Sequence, residues 1–488
     1  MEGTERERAV LDGVETGVLV GGAWRPARSG RTFPVEDPAT GQVLTEVADA
    51  GPEDGLDALA AATAAQEEWA ATPPRRRGEV LTRAWEALSE RQDDLALLMT
   101  LEMGKPLAES RAEVAYAGEF LRWFGEEAVR IEGTYRVAPD GRFRIVTMRQ
   151  PVGPCLLITP WNFPLAMGAR KIGPALAAGC TMIVKPAEQT PLSMLALAAI
   201  LVEAGLPPGV LNVVATSGPA GLVKPLLADR RLRKLSFTGS TETGRHLMAQ
   251  ASQHLLRLSM ELGGNAAFLV FEDADLDLAV EGAVLAKMRN MGEACTAANR
   301  FLAAAPVAGE LAGRLADRLG ALKVGRGTEE GVEVGPLIDD AQRSKVAGLV
   351  DDAVAAGAGV LVGGAPLGGP GHFYPPTVLA GVPPGAAVLH EEVFGPVAPV
   401  VSVAGEDEAV AMANATDHGL VSYVFTRDLD RALRVCERLE TGMVGLNLGM
   451  VSNPAAPFGG VKHSGFGREG GREGIGEYLF TKYVAVRA

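Results

Sequence analysis

The 488-residue sequence has few cysteines and no long apolar segment, and these two shortages limit what the protein can be. Its four cysteines follow neither the spacing of a disulfide framework nor that of a metal site, which favours a reducing compartment. The longest uncharged run, residues 151–169, carries four prolines and therefore cannot form a membrane-spanning helix. The start of the chain lacks the apolar segment of a signal peptide. We expect a cytoplasmic protein without a metal site or a membrane segment.

Positive charge is also scarce. The chain has 46 Lys and Arg against 60 Asp and Glu, which gives a formal net charge of −14. Nucleic acids and anionic membranes are bound by clustered Lys and Arg, so we expect neither as a partner. A composition of 47% hydrophobic and 22% charged residues is ordinary for a globular protein, and the length exceeds a single core. These features favour a multidomain protein that acts on small molecules.

The pattern of apolar residues changes along the chain. Residues 53–131 have the spacing of successive amphipathic helices, whereas short apolar strands alternate with helices from about residue 152. A second alternating stretch begins near Gly263. Such alternation is typical of doubly wound parallel sheets. We predict an α/β fold with two such domains, residues 1–131 with 152–262 and residues 263–472.

Two segments do not fit this alternation. Residues 132–151 alternate in polarity and contain an Asp-Gly turn, which indicates a hairpin, and residues 473–488 end in a lone β-rich tail. A hairpin and a single strand would each be marginally stable and would leave open edges. We expect them to join into one small β-sheet that docks on another subunit, in a homodimer or a homotetramer.

Four stretches carry residues suited to chemistry. "TPWNFP" places Asn162 at a strand end, where open α/β sheets bind ligands, and "FTGSTETG" offers Gly239 and Ser240 as donors to an anion. "MELGGN" gives Glu261 an apolar setting, which would raise the pKa of its carboxylate toward that of a useful base. "RNMGEACTAANRF" holds Cys295. Taken singly, each residue fits a structural role at least as well, as a buried cysteine does.

Together these stretches resemble the motifs of the aldehyde dehydrogenase superfamily. "TPWNFP", "ELGGN", "GEACTAANRF", "EEVFGP" and "PFGGVKHSGFGRE" occur in that family's order and spacing, from about residue 20 to the end. The resemblance implies that residues 1–131 and 152–262 form a Rossmann-like NAD(P)-binding domain. It implies a catalytic domain over residues 263–472 and an oligomerisation role for the small sheet.

The resemblance also implies a reaction through a covalent intermediate. Cys295 would attack the aldehyde carbon as a thiolate, giving a thiohemiacetal, while Asn162 and the backbone N–H of Cys295 stabilise the alkoxide. Loss of hydride to the nicotinamide would leave a thioester. Glu261 would then activate the water that releases the carboxylic acid.

The same resemblance assigns residues to a dinucleotide cofactor. The residues implied are Lys185 and Glu188 at the adenosine ribose, Trp161 and Ser240 at the pyrophosphate, Glu392 and Phe394 at the nicotinamide ribose, and Ile158, Gly218, Gly239 and Leu262 around them. Glu188 predicts NAD in preference to NADP, because a carboxylate accepts hydrogen bonds from a ribose 2′-hydroxyl and repels a 2′-phosphate. Lys185 would offset part of that repulsion, which leaves NADP open as an alternative.

Three arginine and serine positions point to an aldehyde with a distal carboxylate. Phe163, Met167 and Arg170 have the spacing of one face of a helix that starts at Asn162, and Arg289 and Ser452 lie near the nucleophile and the "FGG" motif. Arginine grips carboxylates bidentately, although each arginine alone also fits a structural ion pair. Arg170, Arg289 and Ser452 match positions of succinate-semialdehyde dehydrogenases. We therefore favour succinate semialdehyde as substrate, with glutarate semialdehyde as the near rival.

The sequence departs from the family pattern at two positions beside the nucleophile. Glu293 replaces a glutamine, and its negative charge would slightly disfavour a thiolate two residues away. Ala297 occupies the position where some members carry a second cysteine, so we expect no disulfide lock over the site. Three alternatives stay open: oxidation of a neutral or cationic aldehyde, a non-catalytic homologue, and a cysteine esterase without redox chemistry.

Overall fold

A computed structural model of the protein describes residues 2–487. Met1 and Ala488, the outer ends of the expected segments 1–131 and 473–488, lie outside the described residues. The α-helices are α1 (Glu2–Asp12), α2 (Pro52–Ala71), α3 (Pro74–Glu90), α4 (Gln92–Met103), α5 (Leu107–Glu127), α6 (Ala166–Ala178), α7 (Leu192–Glu203), α8 (Pro219–Leu227), α9 (Thr241–Ala251), α10 (Leu276–Met288), α11 (Ala305–Gly320), α12 (Asp340–Ala355), α13 (Glu406–Asn414), α14 (Leu429–Arg438) and α15 (Gly471–Gly476).

The strands form two large sheets and three small ones. They are β1 (Val18–Val20), β2 (Ala23–Arg25), β3 (Thr32–Glu36), β4 (Val43–Ala48), β5 (Thr134–Val137), β6 (Phe143–Pro151), β7 (Cys155–Ile158), β8 (Met182–Lys185), β9 (Leu211–Val213), β10 (Lys234–Thr238), β11 (Arg257–Glu261), β12 (Ala266–Val270), β13 (Ala298–Ala304), β14 (Gly359–Val362), β15 (Thr377–Ala380), β16 (Val397–Val403), β17 (His418–Gly419), β18 (Val421–Phe425), β19 (Met443–Leu446), β20 (Val461–Lys462), β21 (Gly465–Phe466) and β22 (Leu479–Arg487).

The first large sheet is doubly wound, as predicted. Its order is β2-β1-β9-β8-β7-β10-β11-β21, and the strands from β9 to β11 are parallel. Cys155 and Leu157 of β7 face a core that includes α3, α5, α6 and α7, whereas Leu156 and Ile158 face a core that includes α2 and α8. Both faces are covered because alternate side chains of a strand point to opposite sides.

The second large sheet has the order β14-β15-β16-β13-β12-β18-β19, parallel except for the edge strand β14. Phe268 stands at the centre of its core, with the ring of Phe425 stacked at 4.7 Å and that of Phe301 at 5.2 Å. Only residues 262–265 connect β11 to β12, so the carboxyl end of the first sheet lies against the amino end of the second. This junction positions the site described below.

The predicted hairpin and C-terminal tail do form one sheet, of order β22-β6-β5. Strand β22 pairs antiparallel with β6 over nine residues, from Leu479 opposite Pro151 to Arg487 opposite Phe143. The domain boundary at 472 needs one correction, because β21, at residues 465–466, pairs with β11 of the first sheet and not within the second. A two-residue strand has no periodicity that a sequence pattern could reveal.

The predicted helix start at Asn162 is wrong. Helix α6 begins at Ala166, and residues 161–165 form bends and turns. Phe163 precedes Pro164, and a residue before proline is disfavoured in the helical conformation by contact with the proline ring. Phe163 therefore reaches the site from a turn, whereas Met167 and Arg170 reach it from α6. In residues 2–487 no helix combines the length and the apolar character that crossing a membrane requires.

Candidate active site

Most of the residues that the sequence singled out line a cavity of about 240 Å³ between the two large sheets, whereas Glu261 is buried next to Leu262 of the lining and is not itself part of it. This volume lies below the range of about 300–1,000 Å³ that is usual for ligand pockets, which favours a small substrate. Residues from the carboxyl ends of β7, β10 and β11 line one side, and residues before β13 line the other. The predicted residues in its lining are Trp161, Asn162, Phe163, Met167, Arg170, Gly239, Ser240, Leu262, Arg289, Cys295, Glu392, Phe394 and Ser452.

Cys295 is held by a tight turn between α10 and β13. Asn290 and Met291 adopt left-handed backbone conformations with φ of 55° and 53°, and Gly292 follows with φ of 77°. Non-glycine residues are uncommon there, so this turn is fixed by its surroundings. A Cβ on Gly264 would lie 2.3 Å from the Cys295 carbonyl oxygen, so the second glycine of "ELGGN" is required by close approach.

The side-chain amide of Asn162 is fixed in place beside the thiol. Its Oδ1 accepts a hydrogen bond from the Phe163 N–H at 3.1 Å, and its Nδ2 donates to the Glu293 carbonyl at 2.9 Å. One of the two Nδ2 protons remains for another acceptor. The Asn162 backbone carbonyl accepts a hydrogen bond from Lys105 Nζ at 2.8 Å, which helps to hold the turn that contains Asn162. The arrangement can present a fixed donor to an oxygen in the cavity.

Burial raises the pKa of both the thiol and the candidate base. It raises the pKa of Cys295 to about 12, with the nearby Arg170 and Arg289 acting in the opposite direction. It also raises the pKa of Glu261 well above its usual value, and the Glu469 carboxylate adds to this increase. Neither carboxylate oxygen of Glu261 has a hydrogen-bond partner among the described residues. A raised pKa disfavours the thiolate, so loss of the Cys295 proton adds to the free-energy cost of its attack.

Glu293 is fully buried two residues before the thiol. Its side chain accepts a hydrogen bond from the Ile338 N–H at 3.1 Å. Complete burial raises the pKa of this carboxyl well above its usual value. A raised pKa favours the neutral form, which weakens the negative charge that the sequence alone suggests beside the thiol.

Arg289 offers a guanidinium to the far end of the cavity. Its Nη1 donates to Ser452 Oγ at 3.1 Å, and its Cζ lies 4.8 Å from the ring centre of Phe163 and 5.5 Å from that of Tyr116. Within residues 2–487 no carboxylate forms an ion pair with it at 4.0 Å or less. Two aromatic faces stabilise the cation while leaving it available to an anionic ligand.

Arg170 is placed differently although it lines the same cavity. It forms a buried ion pair with Glu469, which also pairs with Lys171 at 2.5 Å, and its Cζ lies 4.2 Å from the ring centre of Phe458. The structural ion pair that the sequence left as an alternative is therefore present. Nη2 of Arg170 is buried without a hydrogen-bond partner among the described residues.

Sequence reasoning missed several residues of this site. Tyr116 on α5 lines the cavity beside the two arginines, and Phe458 lines it beneath Arg170. Lys105 pairs with Glu113 at 2.6 Å and supports the Asn162 turn. No sequence motif marks these positions. Lys105 and Glu113 could have been predicted only from two opposite charges, eight residues apart, within an apolar helical pattern that suggests burial.

The residues assigned to a cofactor lie in two groups. One group lines the cavity, and the other lies beyond it: Ile158 and Lys185 face each other at the ends of β7 and β8, Glu188 pairs with Lys185 at 3.6 Å, and Gly218 precedes α8. Ser240 caps the amino end of α9, and the buried Thr238 hydroxyl in the cavity has no partner among the described residues. A helix amino terminus with free donors at the carboxyl end of a parallel sheet fits an anionic dinucleotide.

Comparison with known proteins agrees with this geometry. A family model described as "Aldehyde dehydrogenase family" matches residues 24–484. The chain is 59% identical over 444 residues to a succinate-semialdehyde dehydrogenase of Paenarthrobacter nicotinovorans, covering 91% of this chain and 99% of the relative. It is 49% identical over 468 residues to a glutarate-semialdehyde dehydrogenase of Pseudomonas aeruginosa, covering 96% of each. A solved E. coli structure described as an NADP dependent enzyme superposes with a TM-score of 0.96 at 46% identity, covering 97% of this chain and 98% of that one.

Proposed function

This chain belongs to the aldehyde dehydrogenase family, and on that premise we propose that it oxidises succinate semialdehyde to succinate with NAD. The family uses NAD(P) to convert aldehydes to carboxylic acids. One observation carries the choice of substrate: Arg289, free of any carboxylate partner in the described chain, shares a small cavity with Cys295. A guanidinium stabilised by two aromatic rings beside a serine hydroxyl suits a carboxylate at the far end of a short aldehyde.

The proposed chemistry uses three side chains in sequence. Cys295 Sγ bonds to the aldehyde carbon while its proton passes to solvent, to which the thiol is partly exposed, and the carbonyl oxygen becomes an alkoxide that accepts hydrogen bonds from Asn162 Nδ2 and the Cys295 N–H. A nicotinamide cofactor held at Glu392 and Phe394 would supply the hydride acceptor that oxidation to the thioester requires. Glu261, as a carboxylate, then takes a proton from the water that attacks the thioester carbon and gives it to the leaving Cys295 sulfur, which releases the carboxylic acid.

Substrate length distinguishes the two candidate semialdehydes. Succinate semialdehyde and glutarate semialdehyde differ by one methylene, and relatives of each type align with almost the whole chain. One methylene in a pocket changes kcat/KM by about 10- to 200-fold. We expect kcat/KM to be highest for the four-carbon semialdehyde, lower for the five-carbon one and lowest for butanal. Equal values for butanal and succinate semialdehyde would contradict the assignment.

Replacing Glu261 with Gln should separate the two half-reactions. The thiol can still form the thioester, but the water then lacks a base, and general-base catalysis contributes about 10²–10⁴-fold. A rapid-quench experiment should show a burst of NADH close to one per site, followed by slow turnover. If burst and steady state fall together, Glu261 acts in the first half-reaction.

The cofactor preference should depend on Glu188. Its side chain is 41% exposed and lies 3.6 Å from Lys185 Nζ, so repulsion of a 2′-phosphate is weakened but not abolished. Glu188→Ser should raise kcat/KM for NADP relative to NAD by about tenfold, the equivalent of 1.4 kcal/mol. The measurement is kcat/KM with each cofactor, in wild type and variant. A wild-type preference for NADP, or an unchanged ratio, would remove Glu188 as the selector.

We also propose that the small sheet mediates assembly into a homodimer or homotetramer in the cytoplasm. One face of the sheet exposes apolar side chains from all three strands: Tyr135 and Val137 on β5, Met148 on β6, and Phe480 and Val486 on β22. An exposed apolar patch of this kind is typical of a protein interface. The four cysteines are unpaired in the described chain, which suits a reducing compartment. Sedimentation equilibrium distinguishes the monomer, dimer and tetramer.

A further inference from the structure

Lys287 on α10 is a buried lysine without a counter-ion. Its side chain is fully buried, and within residues 2–487 no carboxylate lies within 4.0 Å of its ammonium. Nζ makes one hydrogen bond, to the Gly395 carbonyl at 3.3 Å. Lysine is almost never fully buried unless paired, because removing an ammonium from water is costly. An apolar side chain would fill the same space without the free-energy cost of desolvating an ammonium. We therefore infer that the charge or the hydrogen bond of Lys287 has a functional role.

The carbonyl that Lys287 binds lies against the nucleophile turn. A Cβ on Gly292 would lie 2.2 Å from the Gly395 oxygen, which shows how closely the two backbones pack. Gly292 is three residues before Cys295 and follows the two left-handed residues of the turn. Lys287 Nζ therefore approaches this oxygen where two loops of the site meet.

Gly395 ends a short segment, residues 392–395, that faces the cavity. Glu392 accepts a hydrogen bond from the Gly264 N–H at 2.8 Å, and the Phe394 ring packs edge-on to Trp161 at 5.3 Å. Phe394 has φ of 54°, a conformation unfavourable for a bulky residue, so external contacts must hold it. Gln342 Nε2 supplies one such contact by donating to the Phe394 carbonyl at 2.7 Å, and Lys287 supplies the next along the segment.

The charge of Lys287 also acts on Glu392. Burial raises the pKa of the Glu392 carboxyl to about 7, and the nearby Lys345 and Lys287 oppose this increase. Burial lowers the pKa of Lys287 to about 7, and Glu392 opposes that decrease. Each group therefore favours the charged form of the other, and Lys287 helps to keep Glu392 ionised as a hydrogen-bond acceptor.

We propose that Lys287 is a positioning residue for the cofactor, holding residues 392–395 so that Glu392 and Phe394 face the nicotinamide ribose. Lys287 does not line the cavity and acts only through the Gly395 carbonyl and the charge on Glu392. This inference rests on the proposed function and on the family resemblance, which implies that Glu392 lies at the nicotinamide ribose. It assigns Lys287 to cofactor binding and leaves the thiol chemistry of Cys295 independent of it.

The test is Lys287→Met, measured in two ways on the full-length protein. The Kd for NAD, from isothermal titration calorimetry, should rise by about tenfold or more, as expected for losing a hydrogen bond from a charged donor. Hydrolysis of p-nitrophenyl acetate without NAD should stay within about twofold of wild type, because acyl transfer to Cys295 and its release need no cofactor. Lys287→Gln, which keeps a neutral donor, is measured in the same way and should show a smaller rise in Kd.

Lys234→Met is the matched control. Lys234 is also fully buried, but its Nζ donates to Ser259 Oγ at 2.5 Å, at the opposite end of β10 from the cavity. Its removal should leave the Kd for NAD unchanged. An unchanged Kd in Lys287→Met, or a parallel loss of ester hydrolysis, overturns the inference. Failure of the wild-type enzyme to oxidise any aldehyde would instead overturn the proposed function, and the binding data distinguish the two.

Discussion

Cys295→Ala should abolish aldehyde oxidation, lowering kcat by about 10⁴-fold or more, as is usual when a catalytic nucleophile is removed. The covalent route depends on a carbon–sulfur bond that alanine cannot form. Asn162 and the cofactor groups do not depend on the thiol, so NAD binding should persist in calorimetric titration. The same variant should lose the hydrolysis of p-nitrophenyl acetate, because both reactions pass through an acyl group on Sγ.

Cys436→Ala serves as the control for this substitution. Cys436 is a partly exposed free cysteine on α14, outside the cavity lining. Its replacement should leave kcat and KM within about twofold of wild type, as is usual for surface positions. Retention of a tenth or more of the activity by Cys295→Ala would show that another group carries the chemistry, and it would remove the covalent mechanism.

The two doubly wound sheets could be predicted from the sequence because their evidence is local. Strand β7 and helix α10 both follow from short apolar runs, and the α10 start is marked by Asp275, whose side chain accepts from the Asp277 and Leu278 N–H groups. The pairing of β22 with β6 followed from a different argument, that two marginal segments each need an edge to pair with. Patterns of this kind can be recognised from residues that are close together in the sequence.

The electrostatic state of the site could not be predicted in this way. Lys171 and Glu469 pair although 298 positions separate them, and Arg170 joins the same carboxylate. The pKa of Glu293 is raised because the fold buries it completely, which its neighbours in sequence do not indicate. A pKa depends on desolvation and on charges brought near by tertiary structure, so these properties appear only once the chain is folded.

That electrostatic difference gives the two arginines separate expected effects. Arg170 pairs with Glu469, a carboxylate that also raises the pKa of Glu261. Without Arg170, the buried Glu469 carboxylate would keep only Lys171 as its counter-ion near Glu261. A buried carboxylate that loses a counter-ion is destabilising whichever substrate is bound. Arg170→Met should therefore lower kcat/KM for succinate semialdehyde and butanal alike. Arg289 forms no ion pair in the described chain. Its removal should therefore lower kcat/KM mainly for a substrate that carries a carboxylate.

Arg289→Met should lower kcat/KM for succinate semialdehyde by about 30-fold or more, while kcat/KM for butanal changes about threefold or less. Removing one partner of a buried charge pair costs about 2–5 kcal/mol, and 2 kcal/mol corresponds to about 30-fold. Butanal has no carboxylate, so it loses only packing against the guanidinium stem. Steady-state kinetics with both aldehydes at saturating NAD give the two ratios, and the loss should lie mainly in KM.

Arg289→Lys separates the charge from the geometry of the guanidinium. Lysine keeps the positive charge but loses the bidentate fork and its stacking between Phe163 and Tyr116, so kcat/KM for succinate semialdehyde should fall between wild type and Arg289→Met. A fall of equal size for both aldehydes in Arg289→Met would make Arg289 a structural residue. The choice of substrate rests on Arg289, so the semialdehyde assignment would then fail with it.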